Sequence, residues 1–210
     1  MKTWWNFCAA GRLQLAAALS GSVLLAGMLL AAGLLVAGTA TAASQERDPA
    51  LRLRLEAALA EPVSFEDRYD AEVWLTDMAG RLARRVPDPH ERIEILQAVH
   101  REAVRAKLPP EMVLAVIDGE SGFQRYAVSQ ANAQGLMQVM RFWLKELDMP
   151  GHALLDIQDN VRMGCTILRY YYDMENGNWN QALARYNGSL GSQKYPQLVF
   201  DRLQSRWYKQ

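Results

Sequence analysis

The sequence predicts an all-α domain with room for no more than a very small β element. Apolar residues recur at three- and four-residue spacing through most of the chain after residue 43. Prolines and Asn-Gly or Pro-Gly pairs fall between those stretches, where helices start and stop. No convincing alternation of apolar and polar residues and no internal repeat is present. With 210 residues, 50% hydrophobic and 22% charged, the chain fits one globular domain with a short appendage and not a disordered tail. The 23 basic and 23 acidic residues balance, which argues against a broad nucleic-acid surface. Cys8 and Cys165 are too few for a disulfide scaffold or a cysteine zinc site. His90, His100 and His152 lack paired ligand spacing, so neither a metal nor another cofactor is expected.

The helices follow in order. Leu51 to Leu59 has short helical spacing and ends at Pro62. Trp74, Met78 and Leu82 make an apolar stripe that stops at Val86, before Pro87. Asp88-Pro89-His90-Glu91 offers an N-cap, a proline at the first helical position and a capping glutamate. The helix it opens turns Leu96, Val99, Ala103 and Ala106 inward and breaks at Pro109-Pro110. Pro110 starts another through Ile117, which ends near Gly119 to Gly122. Short strands have a place in Phe123 to Asn132. Leu136, Met140, Trp143, Leu144 and Leu147 read as the next helical stripe, closed by Pro150-Gly151. Val161, Cys165, Leu168 and Tyr172 mark a further helix, ending at Asn176-Gly177. Asn178 with Gln181 resembles a cap for Trp179 to Arg185, and Pro196 opens a last helix through Trp207.

The N-terminus is different in kind. All 23 acidic residues lie after residue 43, whereas Lys2 and Arg12 precede an unbroken apolar or glycine run from Val23 to Gly38. Ala40-Thr41-Ala42 follows, completing the layout of a secretory signal peptide. The apolar region, extended back to Leu13, exceeds the roughly 7–15 residues of such a core. A membrane anchor through residues 13–38 therefore stands beside cleavage, since about 20 apolar residues span a bilayer. In both cases the basic flank stays in the cytoplasm and the rest is exported, to the periplasm of the cell envelope. Cys165 is then the single exported cysteine, expected as a small buried hydrophobe.

Three segments hold candidate chemistry. At about 100° per residue, Val113, Val116, Ile117 and Glu120 share one helix face. A carboxyl at the end of a buried stripe loses water, which raises its pKa and suits it to general-acid work. The plainer alternative is a solvated glutamate at a helix end. Asp118 lies about 160° around the same helix and faces away. Ser129 to Gln138 crowds small and polar residues before a helix, where Gly135 permits close backbone approach and free N–H groups could meet a sugar. Tyr186-Asn187-Gly188 follows a capped helix; Tyr186 could donate a hydrogen bond into a site, but read alone it is better explained by core packing.

Taken together these segments carry a resemblance. Glu120-Ser121-Gly122-Phe123, Ala127-Val128-Ser129, Ala133-Gln134-Gly135-Leu136-Met137-Gln138-Val139 and Tyr186-Asn187-Gly188 resemble the lytic murein transglycosylase family. Asp159-Asn160 and Gly164 agree with it, and the likeness covers roughly residues 95 to 200. The resemblance implies a goose-type-lysozyme-like catalytic domain at 91–210 behind a helical preface at 44–90. It implies Glu120 as the single catalytic acid/base, with Ser121 and Gly135 in support. Ser129, Met137, Gln138, Tyr186 and Asn187 would line the glycan, Tyr186 with its hydroxyl approaching the carboxyl. Gln124-Arg125 stands where the family often has Asn-Pro, and Met140-Arg141 follows Gln138-Val139 where a proline is usual.

The implied substrate is the glycan strand of peptidoglycan. Glu120 would protonate the oxygen between N-acetylmuramic acid and N-acetylglucosamine. It would then take the proton of the muramic C6 hydroxyl as a 1,6-anhydro ring closes. The rivals are a hydrolytic muramidase, which needs a second carboxylate such as Asp156 or Asp159, and a non-catalytic glycan-binding module. Asp156 and Asp159 also suit helix capping.

Overall fold

The structure is a computed structural model that describes residues 48–60 and 68–208, with side chains from Val73 onward in the second stretch. Residues 1–43, with the apolar run and Cys8, lie outside the described residues, as does Pro62. No helix among the described residues is long and apolar enough to cross a membrane.

Among the described residues the fold is all-α with one tiny hairpin, as the sequence predicts. Its elements are α1 (Pro49–Ala60), α2 (Arg68–Leu82), α3 (Pro89–Arg105) and α4 (Pro110–Glu120), then β1 (Ala133–Gln134) and β2 (Val139–Met140). After them come α5 (Phe142–Glu146), a 3-10 turn (Ala153–Leu155), α6 (Ile157–Met174), α7 (Trp179–Tyr186) and α8 (Lys194–Arg202), which unwinds through a wide turn at Leu203–Trp207. The caps follow the chemistry of their residues. Asp88 accepts from the His90 N–H, Asp156 from the N–H groups of Gln158 and Asp159, and Asn178 from that of Gln181. Asp159 itself sits in the first turn of α6 and caps nothing.

α6 is the axis of the core: every residue from Asn160 to Leu168 is buried. It packs against α1, α3 and α7. Cys165 is fully buried there, and burial pushes its thiol up, so it behaves as a small apolar side chain. Burying Arg162 on this helix requires a partner, and Glu102 of α3 supplies it. Glu102 is 1% exposed and accepts from Arg162 Nε at 3.1 Å and Arg105 Nε at 2.6 Å. Burial works to raise this carboxyl, but the bonds from Arg162 and Arg105 outweigh it and hold Glu102 below its ordinary value.

The described part of the preface does not stand apart from the domain. Leu51 and Leu55 of α1, and Met78 and Leu82 of α2, are fully buried in the same core as α3 to α8. Arg54 pairs with Asp173 of α6 at 2.8 Å, and the Tyr170 hydroxyl of α6 donates to Asp48.

Two boundaries differ from expectation. Leu136 and Met140 are not in a helix. They belong to the hairpin, in which Ala133 pairs with Met140 and Gln134 with Val139, and α5 begins only at Phe142. Their four-residue spacing matches a helix by coincidence, because the turn between the strands buries Leu136 and Met137 together. Strands expected within Phe123 to Asn132 lie just beyond it, with Val128 bridging to Gln134 from inside that stretch. Two-residue strands are too short to show alternation. At the C-terminus, the last helix starts at Lys194 rather than at Pro196.

Candidate active site

Glu120 is the last residue of α4, and the chain reverses immediately after it. The Ser121 N–H closes the helix onto the Ile117 carbonyl at 3.0 Å. Gly122 and Phe123 then take positive φ, 59° and 70°. A phenylalanine in that region is uncommon and needs support. Here the Phe123 N–H donates to the Ser121 hydroxyl at 3.1 Å, and its ring packs 5.3 Å from that of Trp207. The Ser121 hydroxyl donates in turn to the Leu136 carbonyl at 2.8 Å. One serine thus ties the end of the glutamate helix to the hairpin.

The hairpin turn is held by α6. Asn160, 1% exposed, donates Nδ2 to the carbonyls of Gln134 and Leu154, both at 2.8 Å, and accepts from the Met137 N–H at 2.8 Å. The backbone donors expected to be free at Gly135 to Gln138 are therefore not all free. Gln138, at φ 48°, turns its amide back onto the Gly135 and Ala127 carbonyls at 2.9 and 3.2 Å. Gly164 lets this turn lie against α6: a Cβ there would stand 2.4 Å from the Met137 sulfur. At the departures from the family pattern, Arg125 Nε donates to the Leu155 carbonyl at 3.0 Å. The Arg141 N–H donates to the Asn132 carbonyl at 3.2 Å, a bond no proline could make.

Glu120 lies deep in the molecule but keeps part of its surface open. Loss of water pushes its carboxyl up to about 7, against the lowering effects of a Tyr195 hydrogen bond and the Arg202 charge. The Tyr195 hydroxyl donates to Glu120 Oε1 at 2.5 Å. Burial, joined by the Glu120 charge, holds the phenols of Tyr195 and Tyr186 well above their ordinary value, so both remain donors at neutral pH.

This corrects the expectation for Tyr186. Its hydroxyl donates to the Met137 carbonyl at 2.7 Å, and it is Tyr195 whose hydroxyl meets the carboxyl. Met137 is also relocated. Its side chain is fully buried and offers no surface to a glycan, so its part is to carry the carbonyl that fixes Tyr186. Ser129 is half-buried and accepts from the Ala133 N–H at 3.0 Å, which leaves its hydroxyl hydrogen to donate elsewhere. Asn187 is the half-buried C-cap of α7, next to Tyr186. Tyr195 and Arg202 were not foreseen from sequence. The signal was there: Tyr195, Val199 and Arg202 lie at helical spacing on one face, but taking Pro196 as the helix start left Tyr195 outside it.

The raised carboxyl has a consequence for stability. A group whose folded pKa lies above its ordinary 4.5 favours the fold while protonated, and that contribution is lost as pH rises through about 7. Glu120→Gln cannot ionise. It should match the parent's stability near pH 4, and exceed it above pH 7 by on the order of 1–3 kcal/mol. Equal melting at both pH values would contradict a desolvated Glu120.

Residues 97–201 match the model of the transglycosylase SLT domain family. Membrane-bound lytic murein transglycosylase C of Yersinia pestis (strain Pestoides F) is 32% identical over 113 residues, covering 46% of this chain and 32% of that protein. The protein of the same name from Yersinia pseudotuberculosis (serotype O:1b, strain IP 31758) gives the same figures. The chain thus spans about a third of the length of these relatives. Two solved structures are also similar. One is a complex of the 70-kDa soluble lytic transglycosylase with bulgecin A, at 24% identity and TM-score 0.41, covering 63% of this chain and 24% of that one. The other is an inactive mutant of the lytic transglycosylase Slt from Pseudomonas aeruginosa, at 23% identity and TM-score 0.42, covering 69% and 30%. The family model spans half of the chain and every residue from Glu120 to Tyr195, and the chain belongs to the transglycosylase SLT domain family.

Proposed function

We propose that this protein is a peptidoglycan lytic transglycosylase. It cleaves the β-1,4 bond between N-acetylmuramic acid and N-acetylglucosamine and leaves a 1,6-anhydro-muramic acid end. The observation that carries the reading is Glu120: a desolvated carboxyl raised to about 7, on a residue that is only partly buried, and fixed by the Tyr195 hydroxyl. Near neutral pH a substantial share of it is protonated and can give its proton to the glycosidic oxygen. Positive charge then develops at the muramic acid C1, where the N-acetyl group of the same sugar can stabilise it. Glu120, now ionised, takes the proton of the C6 hydroxyl, and that oxygen bonds to C1. No water is consumed, and the nucleophile is held in the same ring.

Ordinary glycosidases use two carboxyl groups. Two of the acids weighed for a second role are engaged otherwise. Asp118 is ion-paired with arginines, and Asp156 caps α6. Asp159 is raised by burial and by Asp156, and Arg162 and His152 also act on it. Ser129, through its uncommitted hydroxyl hydrogen, and Asn187 supply the polar contacts to the glycan. Gln138, Gly135, Met137, Tyr186 and Ser121 hold the turn behind them. Digestion of purified peptidoglycan tests the reading: soluble fragments with anhydro ends are expected. Reducing ends would assign a hydrolytic muramidase, and no release a binding module.

The substrate sets the compartment. The exported part, from Ser44 onward, acts in the cell envelope, with residues 1–43 as a cleaved signal or residues 13–38 as a membrane attachment. A reporter fused at Gln210 should be active in the exported compartment, and activity in the cytoplasm would contradict this topology.

A further inference from the structure

Asp118, two residues before Glu120 and 4% exposed, is a buried carboxylate that the proposed chemistry does not use. Four side chains converge on it. Arg206 Nη1 donates to its two oxygens at 2.8 and 3.0 Å, Arg202 Nη1 donates at 3.3 Å and Trp207 Nε1 at 3.1 Å. Arg85 Nε stands 3.6 Å away. These groups come from two distant stretches, the connection after α2 and the end of α8 with the turn that follows it. A second hold lies beside them. Arg81 of α2, paired with Asp77, donates to the carbonyls of Arg206 and Tyr208, both at 3.1 Å.

The C-terminal stretch gathered here also delivers Tyr195. Tyr195, Val199 and Arg202 share one face of α8, and that face lies on the last turn of α4. Tyr195 reaches Glu120 and Arg202 reaches Asp118. Gly119 lies between the two acids, where a Cβ would sit 3.8 Å from both the Tyr195 ring and Val199. A hydrogen bond of 2.5 Å between two side chains does not survive sliding by an ångström or so.

We propose that Asp118 and the arginines on it are positioning residues: they clamp α8 in register so that the Tyr195 hydroxyl meets Glu120. The clamp rests on the reading of Glu120 as the acid. Arg85, Arg202, Arg206 and Trp207 all lie outside the stretch that the family model matches, residues 97–201. The clamp therefore makes the preface and the C-terminal turn part of the site's geometry. Glu120 faces Tyr195 and Arg202 from α8, and Tyr186 of α7 lies within reach of its charge. Arg206 reaches Asp118 and not Glu120 itself.

The test is a double-mutant cycle read in the full chain by NMR titration of the Glu120 carboxyl, which needs no turnover. Tyr195→Phe removes a bond that lowers the carboxyl, so the midpoint should rise. Arg206→Met should raise it as well. In the double variant the midpoint should be no higher than in Tyr195→Phe alone, because Arg206 acts through Tyr195. An unchanged midpoint in Arg206→Met, or a double variant displaced by both shifts in full, would overturn the clamp. Should Arg206→Met fail to fold, Arg206→Lys keeps the cation on a shorter side chain that falls short of Asp118, and is judged in the same way. In the cleavage assay Arg206→Met should lower kcat about tenfold with KM unchanged, and a parental kcat would overturn the clamp. A parent that cleaves nothing would sink the lytic reading instead, and the titration would still decide the clamp.

Discussion

Glu120→Gln is expected to fold and to lose about 10²–10⁴-fold in peptidoglycan cleavage, the usual contribution of a general acid. The substitution keeps the shape of the side chain and an oxygen that can accept from the Tyr195 hydroxyl. It removes only the proton that must pass to the glycosidic oxygen and return from the C6 hydroxyl. In the proposed reaction both transfers use one carboxyl, so no second group covers for the loss. Release of muropeptides by parent and variant, measured below pH 7 where Glu120 is mostly protonated, checks this. Cleavage by Glu120→Gln at the parental rate would remove Glu120 from the mechanism.

Gly135→Ala should cost about 2–5 kcal/mol, the largest effect on stability expected from a single methyl group in this fold. Gly135 sits at φ 79°. Its added Cβ would fall 2.2 Å from Asn160 Nδ2 and 2.3 Å from the Leu154 carbonyl. The carbonyl is backbone, and Asn160 is fixed by three hydrogen bonds, so neither can move aside cheaply. The hairpin also holds the Leu136 carbonyl against Ser121 and the Met137 carbonyl against Tyr186, so cleavage should fall with stability. Gly151→Ala is the control, because nothing lies within 4 Å of a Cβ there. Chemical denaturation of both variants measures the difference. Equal stability would mean that the Asn160 lock is not rigid.

Much of this was legible in the sequence because local rules governed it. The caps at Asp88 and Asn178, the breaks at Pro109-Pro110 and Asn176-Gly177, and the face shared by Val113, Val116, Ile117 and Glu120 follow from short-range chemistry. Gly135 stood out as a place for close backbone approach, although what approaches, Asn160, lies 25 residues on and could not be read. The hairpin was missed because its two-residue strands hold together through Asn160 and Gln138 rather than through any pattern of their own. The exchange of Tyr186 and Tyr195 has a similar cause. Both are buried tyrosines near Glu120, and only packing of α7 and α8 decides which hydroxyl meets a carbonyl and which the acid. Asp118 faces away from Glu120 as its angle on the helix predicts, but its partners are Arg85, Arg202 at the end of α8 and the turn that follows, beyond any local signal.

The central claim is that one carboxyl does both proton transfers and that no water enters. Digestion of purified peptidoglycan in heavy-oxygen water, followed by mass spectrometry of the released fragments, tests it most directly. A lytic reaction closes the new end with the sugar's own C6 oxygen, so the fragments should carry anhydro ends and no heavy oxygen. One heavy oxygen at each new reducing end would show that water attacks C1, and would contradict the single-carboxyl mechanism.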